Sequence, residues 1–210
     1  VLDDIKQIEV IRGPGASIWG ANAVNGVINI ITKDVVNTQG NYVNIIAGDD
    51  VKIAELRSGH KFSEESHFRV SGKLRNNNDF RGINNPVYQD NWNRGNIGFR
   101  WDKKHRSTIN QSLSGNLYLG EENQLYRFPS LVAPFSNTLP VEDQFNGFNL
   151  TGKIEKNMGD DGDAYFSSYI DHNDWAYALG NFQTSTLYLE AQHDITLANR
   201  HEVSWGTNYK

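Results

Sequence analysis

The chain has 210 residues, a formal net charge of −5 with 21% charged residues, no cysteine, and a mean hydropathy of −0.60. This balance shows no nucleic-acid footprint, the lack of cysteine excludes disulfides and thiolate metal sites, and no apolar run of ~18 residues is present to make a membrane helix. A polar average does not exclude a membrane β-barrel, because barrel strands alternate lipid-facing with lumen-facing residues.

Val1 to Lys6 reads as the last turn of a helix. Ile8 to Ile11 is a compact apolar run that stops at Arg12-Gly13-Pro14-Gly15. That stop is a tight turn needing glycine's φ freedom; it lacks the Gly-Lys-Ser/Thr ending of a phosphate loop. Small residues fill Ala16 to Asn25. Gly26 to Thr32 then reads as a strand apolar on both faces, hence buried on both sides. Asp34 to Gln39 is polar and reads as a linker, which puts a domain boundary between residues 1–39 and 40–210.

From Gly40 onward, segments of roughly ten residues alternate apolar and polar. Nine strands are expected, at 41–47, 51–62, 67–75, 92–101, 107–119, 145–156, 164–174, 184–195 and 201–210. The third is the clearest: Phe68, Val70, Gly72 and Leu74 face one way, and Arg69, Ser71, Lys73 and Arg75 the other. The breaks alternate short and long. Short ones at 63–66, 102–105, 158–163 and 196–200 would lie on one side of a membrane; 48–50, 76–91, 120–144 and 175–183 would lie on the other. Short periplasmic turns paired with longer outer loops are the pattern of bacterial outer-membrane barrels. The fold class is therefore all-β, an antiparallel meander. Trp92, Trp101, Trp175 and Trp205 sit near strand ends, which suits either an interfacial girdle or the core of a soluble sandwich.

Little points to catalysis. The six histidines form no HExxH, Gly159 to Asp163 lacks the twelve-residue calcium pattern, and no Gly-x-Ser-x-Gly occurs. The expectation is a non-enzyme with no cofactor and no metal. Two loops stand out as ligand-binding candidates: one with Arg81, Tyr88 and, at its margin, Trp92, the other with Tyr126, Arg127, Phe128 and Phe135. Aromatics with arginine suit an anionic, partly aromatic ligand; the competing reading is that these rings pack their loops together.

The stretch Ile8–Lys33, IEVIRGPGASIWGANAVNGVINIITK, resembles the end of the plug domain of TonB-dependent outer-membrane receptors, with Trp19 at the family's usual Tyr and Asn25-Gly26 at its usual Gly-Gly. The resemblance implies a barrel of about 22 strands with a plugged lumen, of which this chain would hold the plug's tail and the first nine strands. It implies import of a ferric siderophore or similar scarce nutrient, with outer-membrane lipid around the wall and a TonB complex engaging an N-terminal box that this chain lacks. It places Arg12 where a plug arginine meets wall carboxylates, for which Glu155 and Glu190 are the lumen-facing candidates; the plainer reading is a surface arginine. The chain begins with Val1 and shows no signal peptide, so it reads as cut from a longer precursor. Its open sheet edges would then favour self-association. The alternative from another class is a soluble β-sandwich that binds a ligand or carbohydrate.

Overall fold

The computed structural model describes residues 4–13, 24–82, 88–105, 108–159, 162–197 and 201–210. Two strands, β1 (Ile5–Arg12) and β2 (Gly26–Thr32), form an antiparallel hairpin. A 3-10 turn, Val35–Thr38, follows. Then come β3 (Gly40–Ala47), β4 (Val51–Lys61), β5 (Ser66–Asn77), β6 (Trp92–Lys104), β7 (Ile109–Pro129), β8 (Ser136–Asn157), β9 (Asp163–Tyr177), β10 (Gly180–Leu197) and β11 (His201–Tyr209). They make one nine-stranded antiparallel sheet in which each strand pairs only with its neighbours in sequence. The all-β meander read from the sequence is the fold.

Registers across β3 to β11 run without a slip. Side chains alternate faces with period two, so each strand keeps its faces for its whole length. One face carries Ile45, Leu56, Leu74, Ile97, Leu117 and Leu119, all well exposed. Among the described residues the only buried hydrophobic is Val35. A water-soluble sheet protein hides its apolar face against a second layer; here that face is bare, as hydrocarbon contact requires. Among the described residues these nine strands make one sheet, not the two packed sheets of a sandwich.

The apolar band also slants. Val43, Leu56, Ile97, Leu117 and Phe148 share one cross-strand row, but the row ends at His172 and Ser185. On β10 the outward apolar residues are Leu187, Leu189, Ala191 and Ile195, displaced toward the turn end near His201. The slip is about one residue per strand. With ~3.3 Å rise per residue and ~4.8 Å between strands, it corresponds to a tilt of roughly 35°, which is the tilt of a barrel wall.

Some boundaries differ from expectation. Ile5 and Lys6 belong to β1 rather than to a helix; residues 1–3 lie outside the described set. The expected long loop at 120–144 is mostly strand: β7 and β8 continue as a ribbon to a short connection at 130–135. The prolines that suggested a loop are tolerated there. Pro140 pairs with Leu125, while β9 reaches only as far as Gln144, so the proline's missing N–H can face an unpaired edge. Likewise 175–183 is a hairpin with Ala178–Leu179 at its turn, closed by Gly180 at φ 149. Trp19, Pro14, Gly15, Asp160 and Asp161 lie outside the described residues, as do 83–87, 106–107 and 198–200.

Candidate functional site

Two polar constructions occupy the inward face. The first ties the hairpin and linker to the wall. Asp4, 4% exposed, places its carboxylate 2.7 Å from Arg57 Nη1 on β4 and 3.7 Å from Arg69 Nε on β5. Its carbonyl accepts from the Lys33 N–H at 2.7 Å, closing the hairpin's base. Arg69 also donates to the Lys33 carbonyl (3.3 Å) and to Thr38 Oγ1 (3.2 Å). On β6, Arg100 donates to Thr32 Oγ1 at 2.7 Å and to Asp102 Oδ1 at 2.9 Å, while Asp102 Oδ2 accepts the Val35 N–H at 3.1 Å. Lys104 reaches Asp34 at 3.1 Å. The bond from Lys104 holds the Asp34 carboxyl below its ordinary value. The linker expected at 34–39 is therefore a docked segment, with Val35 and Thr38 buried.

Docking this close requires a missing side chain on the wall. A Cβ on Gly59 would stand 2.1 Å from the Thr38 carbonyl oxygen. Gly59→Val is expected to lift the linker and to destabilise the docked form by about 1–3 kcal/mol. Faster proteolysis between residues 33 and 39 would report it; Gly72→Ala, whose Cβ would meet its nearest atom at 3.6 Å, serves as the tolerated control.

The proposed trio lies apart from these contacts. Arg12 stands at the hairpin's other end, opposite Gly26. Glu155 pairs with Lys153 at 2.6 Å, and Glu190 accepts from Ser167 Oγ at 3.2 Å. Among the described residues no ion pair joins Arg12 to either glutamate. The acids that reach the wall from this segment are Asp4 and Asp34, and the wall answers with arginine and lysine.

The second construction lies toward the opposite ends of the same strands. Arg75 (β5) and Arg94 (β6) both lie over the Trp92 ring, at 4.8 and 4.6 Å from its centroid. Arg94 also lies 5.4 Å from the Phe145 centroid, and its Nη2 is 2.9 Å from Glu122 Oε2. The aromatic run continues through Phe145–Trp175 (5.0 Å), Trp175–Tyr177 (5.5 Å) and Tyr177–Phe182 (6.2 Å). A concavity of about 780 Å³ includes Ile46, Ile53, Arg75, Arg94, Gly120 and Phe145 in its lining. Register places these six on the face that Arg69 and Arg100 share, and the other twelve lining residues, Leu74 and Leu119 among them, on the outward face.

Of the loop residues singled out in the sequence, Trp92 is at the centre of this band. Tyr126 and Phe128 face the same way; their rings stack at 6.0 Å, and the Tyr126 hydroxyl donates to Asp143 at 3.0 Å. That bond raises the phenol's pKa above its ordinary value. Arg127 falls on the other face and donates to Ser136 Oγ at 3.1 Å. Tyr88 packs against Phe80 at 6.1 Å, and Arg81 lines a separate polar hollow with Asp79 and Asp49. Trp175 and Trp92 are thus inward-facing residues, whereas Trp101 and Trp205 are outward-facing, as a girdle requires. Sequence reasoning missed Arg75, Arg94, Phe145 and Trp175 as one group. Strand parity alone puts Arg75 and Arg94 on the wet face, but only register brings them to the same level. Among the described residues no group of three His, Cys, Asp or Glu is placed to hold a metal.

No family model matches the chain. Curated relatives do. The vitamin B12 transporter BtuB of Vibrio vulnificus is 24% identical over 207 residues, covering 96% of this chain and 32% of that protein. The ferric enterobactin receptor of Pseudomonas aeruginosa is 33% identical over 123 residues, 57% of this chain and 15% of that protein. The "Probable TonB-dependent siderophore receptor PirA" of Acinetobacter baumannii is 58% identical over 33 residues, 16% of this chain and 4% of that protein. The chain thus spans about a third of the first relative's length and less of the others. By these relatives the chain is similar, along nearly its whole length, to TonB-dependent outer-membrane receptors, and its hairpin docked on a slanting sheet with a bare apolar face agrees with that likeness.

Proposed function

We propose that residues 1–39 are the C-terminal end of a plug and 40–210 the first strands of a wall of about 22. The intact receptor then binds an anionic, partly aromatic nutrient complex, of which a ferric siderophore is the type, and imports it by transport energised through a TonB complex. The role is that of a receptor and transporter, not an enzyme. The observation that carries this reading is the pair of guanidiniums, Arg75 and Arg94, gathered on one indole, Trp92, on the inward face. Cation–π contacts hold such guanidiniums in place while leaving N–H groups for an anion. The names of the relatives divide between vitamin B12 and iron complexes, and the two charges favour the second. In the intact receptor in detergent, Arg75→Ala/Arg94→Ala is expected to weaken binding of an iron(III) catecholate anion at least tenfold, read by tryptophan fluorescence, and to leave cyanocobalamin binding alone. Undiminished binding of the iron complex, or tighter binding of cyanocobalamin than of iron by the unaltered receptor, would overturn it.

A further inference from the structure

Arg94 is already engaged by neighbouring side chains. Its guanidinium lies over two rings, Trp92 and Phe145, and Glu122 meets its terminal nitrogen at 2.9 Å. Glu122 stands opposite Trp92 in register and opposite Asp143 on the other side, so two carboxylates share one inward row. The two are held differently. Asp143 is 1% exposed and receives the Tyr126 hydroxyl at 3.0 Å and the Ala178 N–H at 3.1 Å. Glu122 keeps a quarter of its side chain in solvent (24%) and is retained by Arg94 and by the Gln124 side-chain amide. One carboxylate is fixed in the wall; the other is on a flexible stem and can swing away.

Resting on the reading of the site as an anion receptor, we propose that Glu122 is a built-in competitor that sets ligand charge specificity. It occupies Arg94 until an incoming anion takes its place. A ligand must carry enough negative charge to win Arg94 from the carboxylate despite repulsion from it nearby; a neutral ligand gains nothing from the exchange. The same pairing keeps Arg94 neutralised, so small anions from the medium are held weakly.

The test uses the intact receptor in detergent at low ionic strength, with an iron(III) catecholate anion as the probe and tryptophan fluorescence as the readout. Glu122→Gln removes the charge and keeps an amide that can bond Gln124. It is expected to bind the probe about tenfold more tightly than the unaltered protein and to show higher affinity for sulfate as well. Glu142→Gln, an equal charge change on the outward face of the same ribbon, bonded only to Gln144 among the described contacts, is the control and is expected to shift affinity less than twofold. If the unaltered receptor binds the probe and Glu122→Gln binds it equally or more weakly, the competitor role is overturned while the receptor reading stands. The competitor role is equally overturned if Glu142→Gln tightens binding as much, for then net charge alone is at work. If neither the unaltered receptor nor Glu122→Gln binds the probe, both fall.

Discussion

Asp4→Ala is expected to free the hairpin from the wall, with a loss of about 3–5 kcal/mol, because it removes the carboxylate that two nearly buried guanidiniums share. Arg57 and Arg69 keep only 12% and 7% of their side chains exposed, and the Asp4 carboxylate is the acid both share. Desolvation of the arginines persists after the substitution, while the compensating charge is gone. Hydrogen exchange on the intact receptor is the direct measurement. Amides of β1 and β2 should exchange about a hundredfold faster or more, since each 1.4 kcal/mol is a factor of ten. Amides in the middle of β8, remote from the contact, should not change. Unaltered protection in the hairpin would mean that the Val35 and Thr38 contacts suffice alone.

The second large effect concerns the bare face. Leu117→Arg puts a charge at the middle of the apolar band, where such a substitution costs about 2–4 kcal/mol in a membrane barrel. Its neighbour Asn116 faces inward and bonds Asn149, so Asn116→Arg should cost within about 1 kcal/mol. The two variants differ by one position in sequence and by the whole thickness of the sheet in space. Urea titration of the receptor refolded into lipid vesicles would separate them. Equal losses for both would deny that the Leu117 side meets hydrocarbon.

Strand number and strand parity were legible because period-two alternation is a local property: Phe68, Val70 and Leu74 against Arg69, Lys73 and Arg75 declare both faces within eight residues. Strand length was less legible. Beyond Leu119 the outward side chains turn polar, at Glu121 and Asn123, so the apolar signal stops while the backbone pairing continues. The hairpin's attachment was illegible for a different reason. Asp4 meets Arg57 across 53 positions and Val35 meets Asp102 across 67, and no local pattern marks either end of such a contact. The aromatic band was half visible. Trp92, Tyr126 and Phe128 announced themselves by residue type, whereas Arg75 and Arg94 needed the register that brings β5 and β6 level.

Nearest-neighbour pairing throughout the sheet bears on the order of assembly. Each new strand adds to an edge that already exists, so every step closes only the loop to its neighbour in sequence, the longest of these being residues 78–91 between β5 and β6. Among the described residues, the hydrogen bonds and ion pairs that tie residues 4–39 to the wall lie on β4, β5 and β6. The hairpin can therefore seat itself once these three staves stand together, before β7 to β11 have joined. A sheet that grows strand by strand beside a hairpin already seated on it never has to admit that hairpin afterwards.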